Sequence, residues 1–280
     1  MITRGWAALL LLPVASFGQS LPLEPARDAG VSITGSFEGW FTNPDGSFSL
    51  LLGYYNRNRN QELDVPIGPN NRIEPGGPDR GQPTHFYPGR NWGMFVVKVP
   101  HDFGDNKITW TLTVNGQTTI IPASLKSDWV ISPFQEASVG NTPPILSFEE
   151  KGPAVQGPLS MVVERTATVG TPLPLTVWVS DDAKYTSNSG AKPKKLPPPV
   201  RLRWSLYRAP GAVTIADTRP EIKRIDRPDV AFSGTATTTA TFSEPGDYVL
   251  HVTANDYSGE GGGGFQCCWT TAQVKVAVRQ

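Results

Sequence analysis

Residues 242–250 read Phe-Ser-Glu-Pro-Gly-Asp-Tyr-Val-Leu, and this stretch decides the fold class. Its Pro-Gly pair marks a tight turn, because proline presets one backbone angle and glycine accepts a positive φ. The segment after the turn alternates, with one face formed by Tyr248, Leu250, Val252 and Ala254. A period of two residues is typical of a strand with one buried face. The stretch therefore predicts a turn that leads into a half-buried β-strand.

The same alternation recurs on both sides of this stretch. One apolar face is formed by Leu175, Val177 and Val179, and another by Val200, Leu202, Trp204 and Leu206. His251 falls on the opposite parity from Leu250, so we expect it to face outward. Two packed sheets would bury such faces. Strands are predicted at 145–148, 160–165, 173–179, 200–206, 213–215, 235–242, 248–254 and 270–278.

Several short motifs follow one another in this region. They are GTPLPLTV at 170–177, Ser-Asp-Asp at 180–182, Leu-Arg-Trp at 202–204, the stretch 242–250 and Ala-Asn-Asp at 254–256. This succession resembles the immunoglobulin-like repeats of bacterial surface and secreted proteins that are called PKD domains. The resemblance covers residues 143–280 and implies a β-sandwich that acts as a binding or spacer module. A long insertion after Asp182 and a cysteine pair near the end depart from that pattern.

The N-terminal part predicts a second sandwich over residues 30–122. Alternating segments flank the turn Asn-Pro-Asp-Gly at 43–46, and Asn115-Gly116 is a strong hairpin signal. Polar loops with an edge strand are expected over 56–90, and residues 123–142 form a connector with a short helical turn near 134–137. This part resembles exported bacterial proteins of unknown function. The chain is thus predicted to be all-β, with two antiparallel β-sandwich domains.

The first 18 residues have the pattern of a cleavable export signal. Arg4 precedes an apolar run over 6–14, and the small residues Ser16 and Gly18 stand before the expected cut. The run is shorter than the roughly 20 residues of a membrane-spanning helix. We therefore expect a secreted or periplasmic protein that begins at Gln19, with a lead-in over 19–29.

Composition excludes some classes of function. Lys+Arg and Asp+Glu both number 25, so the chain lacks the basic excess of a nucleic-acid or membrane-surface binder. Two cysteines are too few for a disulfide scaffold, so folding must depend on buried apolar area. Nothing in the sequence predicts the oligomeric state.

Cys267 and Cys268 are adjacent, and each has only the other as an intrachain partner. A trans peptide holds neighbouring Cα atoms about 3.8 Å apart, whereas disulfides usually span roughly 4.4 to 6.8 Å. A bridge between neighbours would therefore be confined to a loop or bulge. The alternatives are one buried cysteine beside a free thiol, an intermolecular bridge, or a site for a soft metal such as Cu(I).

Acidic residues gather at one predicted end of the C-terminal sandwich. Asp181 and Asp182 end one strand, Asp256 and Glu260 follow another, and Tyr185 lies in the long insertion. Loops after those strands meet at one end of an immunoglobulin-like sandwich. Their oxygens would suit Ca²⁺, although Asp also starts turns by bonding to its own backbone. We expect a ligand or partner to bind at this pole, and no cofactor is predicted beyond Ca²⁺.

Two further groups of residues suggest other functions. Exposed aromatic rings could stack on sugars, and the candidates are Trp40, Tyr54, Tyr55 and Trp92. His85 lies in the 56–90 loops near Asp79, Arg80 and Arg90, where a hydrolase would place its general base. No nucleophile motif accompanies it. The sequence thus favours a non-enzymatic binding or spacer protein for a protein or envelope polysaccharide, with carbohydrate binding through the aromatics, or hydrolysis, as the alternatives.

Overall fold

The computed structural model describes residues 27–137, 139–185, 194–257 and 267–280. These residues form eighteen β-strands and one short 3-10 helix, Ser127–Trp129. The chain is therefore nearly all β, as the alternation predicts. The predicted export signal lies outside the described residues. Among those residues, no helix has both the length and the apolar character needed to cross a membrane.

The N-terminal half, residues 27–124, contains two three-stranded sheets and one small ribbon. The sheets have the orders β1-β2-β6 and β4-β7-β8, and β3 pairs with β5. The strands are β1 Ile33–Thr42, β2 Phe48–Asn56, β3 Leu63–Asp64, β4 Asn71–Glu74, β5 His85–Phe86, β6 Gly89–Val99, β7 Lys107–Val114 and β8 Gln117–Ser124.

Both predicted hairpins are present in this half. β1 and β2 pair antiparallel around the turn at 43–47, and β7 and β8 pair antiparallel around Asn115-Gly116. Asn115 and Gly116 have φ values of 50° and 74°, which suit the two-residue turn that matches strand twist. Between the two sheets lies a core that includes Leu50, Trp110 and Phe95.

The C-terminal half, residues 145–280, is a sandwich of two larger sheets. One has the order β10-β9-β12-β16-β14, with β15 also paired to β16, and the other has the order β11-β18-β17-β13. β11 and β18 run parallel, whereas the other pairs of strands in these two sheets are antiparallel. The strands are β9 Ile145–Ser147, β10 Ala154–Gln156, β11 Met161–Thr168, β12 Leu173–Asp181, β13 Arg201–Arg208, β14 Val213–Ile215, β15 Lys223–Arg224, β16 Phe232–Phe242, β17 Gly246–Asn255 and β18 Trp269–Arg279.

The stretch 242–250 closes this second core as its sequence predicts. Gly246 has a φ of 144°, and β17 starts there. The Tyr248 ring packs 4.8 Å from Phe242, and its hydroxyl donates to the Glu244 carbonyl at 2.9 Å. Such a backward hydrogen bond from a buried tyrosine is a feature of immunoglobulin-like sandwiches.

Two local expectations were wrong. Residues 134–137 contain turns rather than a helical turn, and the short helix lies earlier, at Ser127–Trp129. His251 is only 1% exposed although its parity is opposite to that of Leu250. The reason is that the N-terminal half covers the outer face of the β13–β17 sheet, so both faces of β17 are buried there.

The two halves meet at a junction centred on β13. Tyr207 belongs to the hydrophobic core of the N-terminal half, and its hydroxyl donates to the Gly81 carbonyl at 2.6 Å. Arg208 forms two 2.8 Å hydrogen bonds with the Asp79 carboxylate. The backbone N–H of Leu206 donates to the Tyr87 hydroxyl. A strand of one sandwich thus completes the core of the other.

Candidate functional site

The loop pole is the end of the C-terminal sandwich where β12 and β17 finish and β18 begins. It contains Asp181, Asp182, Asp256 and the cysteine pair, which the structure places close together. Asp181 follows Leu175, Val177 and Val179 in parity and therefore faces the interior of the sandwich. Glu260, the remaining acidic candidate, lies outside the described residues.

Cys267 and Cys268 form a disulfide immediately before β18, in a segment that is not part of a strand. Their Cα atoms lie 3.1 Å apart, and the peptide bond between them is cis. Both residues are at most 1% exposed. The bridge is therefore part of the interior of the pole rather than a feature of its surface.

Asn141, from the connector, links the cysteines to the acidic residues. Its side-chain amide donates to the Asp256 carboxylate at 2.5 Å. Its backbone carbonyl oxygen lies 3.4 Å from the Cys268 Sγ. The same carbonyl accepts the backbone N–H of Glu136 at 2.8 Å. Sequence reasoning did not single out Asn141, because nothing local distinguishes it from an ordinary turn residue before Thr-Pro-Pro.

Asp181 is a buried acid of the pole whose pKa is shifted. It is 6% exposed, its Oδ1 accepts the Ala183 N–H at 2.8 Å, and its Oδ2 has no hydrogen-bond partner among the described residues. Burial, together with the nearby charges of Asp256 and Asp182, raises the pKa of Asp181 to about 7, against the lowering effect of the Ala183 N–H hydrogen bond. A proton or a cation would satisfy this buried carboxylate.

Asp182 makes a separate set of contacts. Its Oδ2 accepts both the backbone N–H and the hydroxyl of Thr142, at 3.2 and 3.1 Å. The Lys184 Nζ lies 3.4 Å from this oxygen and donates to the Gly140 carbonyl at 2.7 Å. Asp182 therefore fastens the connector to the pole. Among the described residues, no three His, Cys, Asp or Glu side chains are grouped so that they could hold a metal ion.

Trp269, next to the disulfide, attaches the pole to the N-terminal half. Its ring is 3% exposed and packs in a cluster with Phe41, Leu51 and Ile131. Gly93 makes this approach possible, since a Cβ there would lie 2.3 Å from the Trp269 ring. The φ of +52° at Gly93 also favours glycine.

The four aromatic candidates separate into buried and exposed pairs. Tyr54 is fully buried in the N-terminal core, and Trp40 is half-buried with its indole N–H bonded to the Lys126 carbonyl. Tyr55 and Trp92 are 42% and 46% exposed. The first pair therefore cannot serve as an open stacking surface, whereas the second pair can.

The residues expected around His85 do not form one group. Both ring nitrogens of His85 are hydrogen-bonded to carboxylates, Nδ1 to Asp64 at 2.8 Å and Nε2 to Glu62 at 3.0 Å. Asp79 instead pairs with Arg208 across the junction, and Arg90 pairs with Glu38. The structure therefore distributes the residues of the hydrolase hypothesis over three places.

A groove of ≈ 810 Å³ runs along the outer face of the β11-β18-β17-β13 sheet beside the junction. Its lining carries both signs of charge, from Glu164, Arg165, Arg208, Asp247 and Lys275. Sequence reasoning missed this groove, because its residues come from four strands that become neighbours only in the folded sheet.

Comparison with known proteins gives no family. No family model matches the chain, and no curated protein matches it significantly. Among solved structures, domains 4 and 5 of the S-layer protein SbsC match with 11% identity and a TM-score of 0.25, over 89% of this chain and 98% of that one. An endo-fucoidan hydrolase of glycoside hydrolase family 107 matches with 12% identity and a TM-score of 0.24, over 91% of this chain and 30% of that one. A protein of unknown function from Porphyromonas gingivalis matches with 10% identity and a TM-score of 0.24, over 88% of this chain and 99% of that one.

The disulfide makes a direct prediction about thiols. In protein purified without reductant and unfolded in denaturant, we expect a thiol reagent to detect no free cysteine, and two after reduction. The physical reason is that Cys267 and Cys268 are each other's only intrachain partner. Two reactive thiols before reduction, with the protein taken from its native compartment, would contradict the bridge.

Proposed function

We propose that this chain is an exported, non-enzymatic protein that binds a partner protein through the loop pole. The observation that carries this proposal is the number of contacts that hold the pole in place. The disulfide, the Asn141–Asp256 hydrogen bond and the Asp182–Thr142 hydrogen bonds all converge there. Loops fixed on a rigid scaffold are where binding residues concentrate. Export would supply the oxidising compartment in which a disulfide persists.

The surface available for contact surrounds these buried groups. We define the pole surface as Val139, Lys184, Tyr185 and Tyr257. Val139 is 47% exposed, and the rings of Tyr185 and Tyr257 meet edge to face at 5.3 Å. Tyrosine is enriched in protein-binding surfaces and among the residues that contribute most to binding, so the Tyr185–Tyr257 pair is the expected centre of the contact.

Binding through the pole also benefits from the junction. Trp269 and Tyr207 fix the C-terminal half on the N-terminal half at two separate places. The pole surface therefore has a defined orientation with respect to the whole molecule, which reduces the entropy that is lost on association. A spacer whose halves moved independently would not have this property.

The pole surface can be tested with the full-length protein expressed in its native host. We expect the double variant Tyr185→Ala/Tyr257→Ala to lose the partners that co-purify with the wild type after crosslinking, by about tenfold or more, as for a central pair of aromatic contacts. Trp129→Ala is a matched control, because Trp129 is 47% exposed in the connector, where its ring contacts Phe37 of the N-terminal half. The mass of the purified protein also reports its first residue, expected to be Gln19.

Two outcomes would contradict this proposal. One is that the double variant keeps its partners at wild-type yield while its circular dichroism spectrum is unchanged. The other is that Trp129→Ala loses the same partners, which would place the contact surface around Trp129 in the connector.

A further inference from the structure

Trp92 lies on the outer face of the β1-β2-β6 sheet with its ring held in one orientation. The residue is 46% exposed, and the guanidinium carbon of Arg90 sits 3.9 Å from the ring centroid. A stacked guanidinium covers one face of an indole and leaves the other available. The exposed area of Trp92 is therefore a flat apolar surface rather than a mobile side chain.

Arg90 is itself fixed by hydrogen bonds. One terminal nitrogen donates to the Tyr54 carbonyl at 3.0 Å, and the other donates to the Ser36 hydroxyl at 2.8 Å and the Glu38 carboxylate at 2.6 Å. A planar guanidinium with several partners has little rotational freedom. The Arg90 guanidinium therefore packs against one face of the Trp92 ring in a fixed position.

Glu38 shows that this support is built into the fold. The carboxylate is 7% exposed and also accepts the Gly93 N–H at 2.6 Å. Gly53 leaves room for it, since a Cβ there would lie 2.1 Å from the Glu38 Oε1. A buried carboxylate is costly unless it is paired, and here its partner is Arg90. The pair cancels the charge of Arg90, so this face presents no uncompensated cation from that residue.

Tyr55 continues the surface on the neighbouring strand. It stands directly opposite Arg90 in the β2–β6 register and is 42% exposed. On its other side it pairs with Thr34, whose side chain is exposed. Tyr55 and Arg90 thus lie side by side on β2 and β6, and Trp92 follows Arg90 two residues along β6. We call Tyr55, Arg90 and Trp92 the aromatic platform.

We propose that the aromatic platform binds a neutral polysaccharide, with one sugar ring stacked on Trp92 and a neighbouring ring on Tyr55. The C–H faces of pyranose rings are flat and apolar, and they pack on aromatic faces while their hydroxyls stay hydrated. The absence of an uncompensated charge on Arg90 favours an uncharged polymer over an acidic one. This site shares no residue with the pole surface, so a test of polysaccharide binding does not depend on whether the pole binds a protein.

The test is binding of the full-length protein to soluble neutral polysaccharides, namely a β-glucan, a xylan and a mannan, by affinity electrophoresis and calorimetry. We expect binding to at least one of them, and we expect Trp92→Ala to weaken it about tenfold, or ~1.4 kcal/mol. Trp92→Phe keeps a flat ring and should retain most of the affinity. Tyr55→Ala should weaken binding by a smaller factor.

Trp129→Ala is the matched control, since it removes an equally exposed tryptophan outside the platform. Equal affinity of wild type and Trp92→Ala for the bound polymer would overturn the proposal, as would absence of binding to all three neutral polymers. Alginate, an acidic polymer, is included as a further arm. Binding to alginate alone would also overturn the assignment to a neutral polymer.

Discussion

Replacing Tyr207 with alanine should reduce the free energy of unfolding by about 3 to 5 kcal/mol, the range for deleting a buried aromatic ring. Tyr207 is 1% exposed and lies on β13 of the C-terminal half, yet it packs in the core of the N-terminal half. Its loss would leave a cavity in one core and remove an attachment point for the other. We therefore expect the two halves to unfold less cooperatively.

Denaturant unfolding, followed by tryptophan fluorescence and circular dichroism together, measures this effect. Tyr207→Phe should cost only about 1 kcal/mol, because it removes the hydroxyl that donates to the Gly81 carbonyl but keeps the ring. Tyr55→Ala is the control, since it deletes the same side chain from an exposed position. A Tyr207→Ala variant as stable as Tyr55→Ala would contradict the role of Tyr207 in joining the two halves.

The second large effect concerns pH and two buried groups with opposite behaviour. Burial raises the pKa of Asp181 from 3.8 to about 7, so the folded state holds its proton more tightly. The stability that Asp181 contributes is present below pH 3.8 and is lost as the pH rises through about 7. At ~1.4 kcal/mol per pH unit, the full difference is about 4 kcal/mol.

The pH dependence of stability that His251 contributes has the opposite sign. Burial, together with the charge of Arg203, lowers the pKa of His251 from 6.5 to about 4. The folded state therefore prefers the neutral ring. The stability that His251 contributes is present above pH 6.5 and is lost as the pH falls towards 4, a difference of about 3 kcal/mol. Between pH 4 and 6.5 the two contributions oppose each other and largely cancel.

Single variants should separate these contributions. We expect the unfolding free energy of Asp181→Asn, measured relative to wild type, to rise by about 3 kcal/mol between pH 4 and 6.5, because His251 is then uncompensated. The unfolding free energy of His251→Leu, measured relative to wild type, should fall by a similar amount over the same pH range. Asp226→Asn, at a side chain that is 96% exposed, should run parallel to wild type. If the unfolding free energies of all three variants have the same pH dependence as that of wild type, neither group titrates as described.

The alternating segments were predictable because a strand's period depends only on neighbouring residues. Tyr248, Trp204 and Val177 are buried as their parity indicates, and Asn115-Gly116 forms the expected turn. The cysteine pair could likewise be recognised, since adjacency in the chain limits each cysteine to one intrachain partner.

The failures share one cause, which is that each depends on a partner distant in the chain. His251 has the outward parity, but the N-terminal half covers that face and buries the ring. Tyr54 was a candidate for a sugar platform, yet it packs in a core with Phe86. Asp79 was grouped with His85 by proximity in sequence, whereas its partner is Arg208, 129 residues away.

The sequence by itself determined that the chain is all-β, that the stretch 242–250 begins a half-buried strand, and that Cys267 and Cys268 can pair. These properties follow from local geometry and from the chemistry of neighbouring residues. Only the tertiary structure decided that Asn141 holds Asp256, that Glu38 fixes Arg90 beneath Trp92, and that Tyr207 completes the opposite core. Each of these contacts joins residues far apart in the chain, so it depends on how the sheets pack and leaves no local pattern.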